Sequence, residues 1–171
     1  MASGDFDPEK LLSVLRSHGV EFILIGGMAA VLHGDVGVTV DVDVVPDRND
    51  DNLNSLANAL CDLEARIRTE GEADGLSFDC SPAFFKNMAP EAFVNMTTTA
   101  GDVDVTFKPA GTDGYADLAR SAIRVEAAEG VTILVASLDD VIRSKESADR
   151  EKDRDALPRL RRLLERIQRS D

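Results

Sequence analysis

The chain has 171 residues, the size of one domain with room for a substantial core. No apolar run approaches the roughly 18 residues of a helical membrane span, which excludes that class. A net charge of −13 excludes an indiscriminate nucleic-acid binder. The charge is uneven, however: residues 1–142 hold nine Lys/Arg against twenty-five Asp/Glu, and residues 143–169 hold ten against six. The C-terminal segment is therefore a candidate cationic patch, or simply a solvated helix face. Cys61 and Cys80, outside any CxxC or Cys/His cluster, are expected to be reduced and structural. Residues 1–5 lack the basic and apolar regions of a signal peptide, so the expected location is the cytoplasm.

In chain order, Asp7-Pro8 opens a helix, with Asp7 as cap and Pro8 at the first helical position. Leu11, Leu12, Val14 and Leu15 form its apolar face, Gly19 ends it, and His18 reads as structural. Residues 21–25 are a buried strand. Gly26-Gly27 is a tight turn into a short helix that His33 caps. A strand follows in which Val40, Val42 and Val44 are expected to face the core. Residues i and i+2 of a strand share a face, so Asp41 and Asp43 point together to the other side, with Thr39. Two carboxylates this close repel, and both stay ionised only with positive charge between them; oxygen-only ligands favour Mg²⁺ or Mn²⁺. The same alternation suits the solvent face of an amphipathic edge strand. Gly26-Gly27 adds weight to the first alternative, because glycine lets backbone approach a phosphate and amides at a helix start bind anions. Together the two features suit a nucleoside triphosphate and its metal.

Residues 47–51 form a turn before a helix over 52–63 with a stripe of Leu53, Leu56, Ala57, Leu60 and Leu63. Residues 66–79 read as loop with a short strand near 76–78. Ser81-Pro82 starts a short helix whose Phe84 and Phe85 read as core rather than as base-stacking residues. Strands over 93–99 and 103–107 are joined by a turn at Gly101-Asp102, which leaves Asp104 within the second strand. Residues 111–115 are a loop before a helix over 116–122, and 131–136 is a strand. Ser137 caps a helix running from Leu138 to about Ala148 and carrying Lys145. The last helix is expected to begin near Asp155, with Pro158 in its first turn and Arg161, Arg162, Arg166 and Arg169 facing out. The fold class is α/β (α+β): a mixed twisted sheet of about five strands with flanking helices. One domain, 1–171, comprises a sheet-containing core (1–136) and a helical C-terminal section (137–171) that closes the cleft.

A hydrophobic residue before Gly26-Gly27, about a dozen residues, then Asp41-x-Asp43 resembles the signature of nucleotidyltransferases of the DNA polymerase β superfamily. The resemblance runs along nearly the whole chain. It is closest to the small nucleotidyltransferase toxins of bacterial toxin–antitoxin pairs, the MenT and AbiEii type. Lys145, Arg150, Lys152 and Asp153 match a family pattern like Lys-x-x-x-x-Arg-x-Lys-Asp. The resemblance implies a polymerase-β-like fold and metal-dependent transfer of an NMP from an NTP to an acceptor hydroxyl. Asp41, Asp43 and Asp104 would hold Mg²⁺ or Mn²⁺, with Asp104 assisting the acceptor. Gly26, Gly27, Lys145 and Arg150 would bind the nucleotide. It further implies the 3′ end of tRNA as acceptor, blocked translation as outcome, and a cognate antitoxin that silences some members by phosphorylating a Ser or Thr at the position of Thr39. Relatives often carry an Arg where this chain has Gly37. Two other readings stand beside this one: modification of a protein or aminoglycoside hydroxyl, the latter suited to the acidic charge, and a degenerate domain that binds a nucleotide or partner without catalysis.

Overall fold

Three central strands, alternating over Asp41–Val44, Phe93–Met96 and Gly101–Thr106, set the two faces of the sheet. β2 (Asp41–Pro46) runs parallel to β6 (Gly101–Thr106), and Asp41, Val42, Asp43 and Val44 sit opposite Asp102, Val103, Asp104 and Val105. β5 (Phe93–Thr98) runs antiparallel to β6 on its other side, with Val94 and Met96 opposite Val105 and Val103, and Asn95 opposite Asp104. Directly opposed residues share a face. Val42, Val44, Val103 and Val105 therefore point to one side, where they are fully buried, and the four carboxylates point to the other.

The computed structural model describes residues 5–171; Met1–Gly4, part of the stretch read for a leader, lie outside the described residues. α1 (Pro8–Ser17) begins as expected, the Asp7 carboxylate accepting from the Lys10 amide at 3.0 Å. β1 (Phe22–Ile25) leads directly into α2 (Gly26–Leu32), whose His33 cap donates through Nε2 to the Ala136 carbonyl, 2.8 Å away. After β2 come α3 (Asp50–Asp62), β3 (Arg66–Thr69), β4 (Glu72–Leu76) and α4 (Pro82–Lys86). Beyond β5 and β6 lie α5 (Tyr115–Ala119), β7 (Ile123–Ala128), β8 (Val131–Val135), α6 (Leu138–Ala148) and α7 (Glu151–Ser170). The sheet order is β4-β3-β5-β6-β2-β1-β8-β7, mixed in direction. α1 and α3 pack on the valine side, while α2, α6 and α7 gather on the acid side. Among the described residues no helix is long and apolar enough to cross a membrane.

Four expectations are corrected. The sheet has eight strands rather than about five, because β3, β4 and β7 were not legible. They lie toward the two edges, where Arg-Ile-Arg-Thr and Glu-Ala-Asp-Gly-Leu bury one face poorly and so show no apolar alternation. Asp102 belongs to β6 rather than to the turn. Val40 is 67% exposed rather than in the core, since pairing starts only at Asp41 and the valine layer ends there. α7 begins at Glu151, four residues before Asp155, because Asp153 accepts from the Arg150 amide at 3.3 Å and caps the helix earlier. Pro158 thus lies inside α7, at the cost of one helical hydrogen bond.

Asn52, read as merely the start of a helix, ties three segments together. Its buried amide accepts from Glu21 N–H at 2.7 Å and donates to the carbonyls of Glu21 (2.8 Å) and Asp47 (2.6 Å). It thereby fixes the entry to β1 against the exit of β2. Asn52→Leu leaves these groups unpaired and is expected to destabilise the fold by about 2–3 kcal/mol, lowering Tm by roughly 5–10 °C in a thermal melt.

Candidate active site

A cavity of about 720 Å³ opens over the acid face of the sheet between β2, β6, α6 and α7. Asp41, Asp43, Asp104, Gly26, Gly27, Thr39, Lys145 and Arg150, the residues singled out from the sequence, all line it. The cavity wall carries six cationic side chains, Arg68, Lys108, Lys145, Arg150, Lys152 and Arg159, against five acidic ones. In a chain of net charge −13, this local reversal suits a polyanionic ligand.

The β1–α2 turn meets the acids at the closest point of the site. Gly26 has φ +75°, and a Cβ there would stand 2.2 Å from Asp43 Oδ2. Only glycine satisfies both the backbone and the carboxylate pressed against it. A Cβ on Gly27 would stand 3.1 Å from Thr39 Oγ1, so this turn also abuts Thr39. No side chain caps the start of α2 among the described residues, and Gly26 and Gly27 line the cavity. The Thr39 hydroxyl donates to the Asp41 carbonyl at 3.1 Å.

Electrostatics register how crowded the acid face is. Burial, then repulsion from Asp41 and Asp104, pushes the Asp43 carboxyl up to about 7, against the pull of Lys152 and Lys145. Burial also raises Asp104, to about 6; Arg68 opposes the rise, and Asp41 and Asp102 add to it. The donor set is oxygen-only and short of positive charge, so it fits a hard divalent cation. Asp41 and Asp43 are the residues that would hold Mg²⁺ or Mn²⁺. Asp104 is shared: Arg68 of β3 reaches across β5, bonding Asp102 through Nη1 and Asp104 Oδ1 through Nη2 at 3.0 Å. With Asp104 so engaged, no three acidic, His or Cys side chains among the described residues close around a single point.

The cations opposite are organised by one buried carboxylate. Asp153, fully buried, accepts from Arg150 Nε at 2.7 Å and Nη2 at 3.2 Å, and pairs with Lys145 Nζ at 3.4 Å. Burial would raise its carboxyl, but the Arg150 bonds and charge, with Lys145, hold it below the usual range. The break between α6 and α7, where Asp149 takes a left-handed φ of +49°, brings Lys145, Arg150 and Lys152 to the same rim. Lys152 has no ion-pair partner among the described residues; it entered the sequence motif but was not assigned to the site. Nor was Arg159, whose guanidinium reaches the cavity from α7 and grips Asp35 at 2.6 and 3.1 Å. Gly37 makes room for that pair, because a Cβ there would stand 2.7 Å from Asp35 Oδ2 and 2.8 Å from Arg159 Nη2. Arg68 escapes a sequence reading because its strand shows no apolar alternation, and Arg159 because its partner Asp35 lies 124 residues away.

A raised carboxyl has a definite sign. The folded chain holds a proton on Asp43 up to about pH 7, while the unfolded chain releases it near 3.8. This contribution is fully present below about pH 4 and is lost as pH rises to about 7. Asp43→Asn is therefore expected to gain little in Tm over the wild type near pH 4.5 and most near pH 8. Thermal melts in EDTA check this, and added Mg²⁺ is expected to narrow the gap by stabilising the wild type alone.

No protein-family model matches this chain, and no curated protein matches it in sequence. Its structure is similar to that of a provisionally assigned nucleotidyltransferase from Thermotoga maritima, with a TM-score of 0.53 and 14% identity over 95% of this chain and 97% of that one. At this identity the likeness speaks for architecture, and the chain has the mixed α+β fold of that nucleotidyltransferase.

Proposed function

We propose that the protein is a metal-dependent nucleotidyltransferase that moves an NMP from an NTP to an acceptor hydroxyl. The observation that carries this reading is the contact of the Gly26 backbone with the Asp43 carboxylate, within a cavity whose far rim holds Lys145, Arg150 and Lys152. Phosphate-binding backbone, paired acids and cations converge in one place.

The Gly26 and Gly27 amides and the rim cations bind the triphosphate. The acceptor oxygen attacks the α-phosphorus as its proton passes toward Asp104, whose carboxyl, raised to about 6, is still ionised at neutral pH. A bond forms between that oxygen and the α-phosphorus. The bond from the α-phosphorus to the oxygen bridging to the β-phosphorus breaks, and pyrophosphate leaves with the electron pair. Lys145, oriented by Asp153, and Arg150 offset the charge on the departing group. A divalent cation held by Asp41 and Asp43 would neutralise phosphate charge in the transition state.

The acceptor we infer is the 3′ end of tRNA, which would make the protein a translation-blocking toxin acting in the cytoplasm with a cognate antitoxin. The support is the resemblance of its motifs to such toxins, together with exposed Arg162, Arg166 and Arg169 on α7, which suit RNA phosphates. Thr39 lies against Gly27, so a phosphate on its hydroxyl would put about −1.5 to −2 charges where the triphosphate is to bind. This offers an antitoxin a simple means of silencing. The acidic net charge favours a second acceptor, a cationic aminoglycoside.

Incubation with labelled NTPs, Mg²⁺ and total RNA tests these readings. Label is expected in tRNA, lost with Asp41→Ala or with EDTA, and reduced about 10²–10³-fold in kcat with Lys145→Met. Thr39→Glu is expected to abolish labelling by blocking NTP binding. Label on an aminoglycoside or protein instead of RNA overturns the tRNA acceptor. No label at all, with NTP affinity unchanged in Asp41→Ala, leaves a binding domain without catalysis.

A further inference from the structure

We infer that Phe93 and Asn95 on β5 form a subsite for the unpaired terminal base of a nucleic-acid acceptor. The inference rests on the nucleotidyltransfer reading for its direction. In an in-line displacement the attacking and leaving oxygens lie on opposite sides of the phosphorus. The triphosphate features, Gly26-Gly27 and the rim cations, flank the acids on the β1 and α6–α7 side. The incoming hydroxyl must then approach from the opposite flank, past Asp104. That flank is β5, one strand spacing or about 4.8 Å beyond β6.

The face of β5 turned to the cavity is built for a flat apolar ligand with polar edges. The register puts Asn95 opposite Asp104 and Phe93 opposite Thr106, so both side chains stand on the acid face, and both line the cavity. Phe93 is 68% exposed and lines the same cavity as Asp41, Asp43 and Asp104. An isolated exposed aromatic is ordinary on a protein surface. Here, however, it stands next to an amide that no other described residue engages and two residues along the strand from the position facing the third acid. A ring supplies a stacking surface for a base, and an amide supplies one donor and one acceptor for its edge. Phe84 and Phe85 do not take this role, because Phe84 packs between Phe78 and Phe85, Phe85 is fully buried, and neither lines the cavity. An acceptor ending in an unpaired base uses this surface.

The test is binding, read separately from turnover. Fluorescence anisotropy measures the affinity of an RNA hairpin with a four-nucleotide single-stranded 3′ end, and of the same hairpin lacking its terminal base. The proteins are the wild type, Phe93→Ala and Phe93→Leu. Stacking is expected to make Phe93→Ala at least about fivefold weaker on the intact hairpin. Phe93→Leu, which keeps apolar area but loses the ring, is expected to fall with it. On the abasic hairpin all three are expected to bind alike, at the weakened level. NTP affinity is expected to be unchanged. Equal weakening on both hairpins, no weakening on either, or a loss of NTP affinity instead overturns the inference. The readings fail separately. RNA labelling that is indifferent to Phe93 removes the subsite and spares the transferase, whereas Phe93-dependent binding without any labelling does the reverse.

Discussion

Carboxylates crowded on one face of β2 and β6 set the terms for everything else in this molecule. The parallel register lines up Asp41 with Asp102 and Asp43 with Asp104, so four negative side chains share two adjacent strands. Like charges at this spacing cannot all stay ionised unaided. The protein answers in three ways. Burial and repulsion hold protons on Asp43 and Asp104 at higher pH than usual. Arg68 clamps Asp102 and Asp104 from the β3 side. On the opposite rim Lys145 and Lys152 supply field without a bond to the acids. What remains is a site still short of positive charge around Asp41 and Asp43, as a cation-binding centre needs to be.

The positioning of the rim depends on a second, buried charge. Asp153 is sealed from solvent yet stays ionised, because Arg150 and Lys145 both point at it. A buried carboxylate with two cationic partners is unfavourable to leave half-paired. It therefore fixes both partners and the α6–α7 break together, and under the proposed function a substrate phosphate at the rim would find its cations already in place rather than free to wander. The same residue caps α7, so the start of that helix and the geometry of the site are a single structural event.

The sequence was most legible where chemistry and periodicity coincided. Asp41-Val42-Asp43 announced both a strand and its two faces, and Gly26-Gly27 announced a turn that the structure shows to be obligatory at Gly26. Helix α6 was readable from Ser137, its cap. Elements whose partners lie far away in sequence were not. Arg66–Thr69 and Glu72–Leu76 form strands because β5 offers an edge, and nothing in their own side chains demands it. Arg68 disappeared with them. Val40 fits the alternation of its strand and was misplaced only because pattern says nothing about where a covering layer stops. Arg159 lay on a helix correctly expected, but its partner Asp35 is 124 residues away, a separation that no local reading spans.

Gly37 has a further meaning once the Arg159–Asp35 clasp is known. The nucleotidyltransferase pattern that the sequence resembles often has an arginine at the position of Gly37, and here the space that its first carbon needs is already filled by a guanidinium from the other end of the chain. The two arrangements exclude each other: one seat beside the cavity, reachable from the loop before β2 or from α7, never from both. An arginine put at 37 would therefore press on the Asp35–Arg159 pair and unlatch α7 from the segment that leads to Thr39 and Asp41.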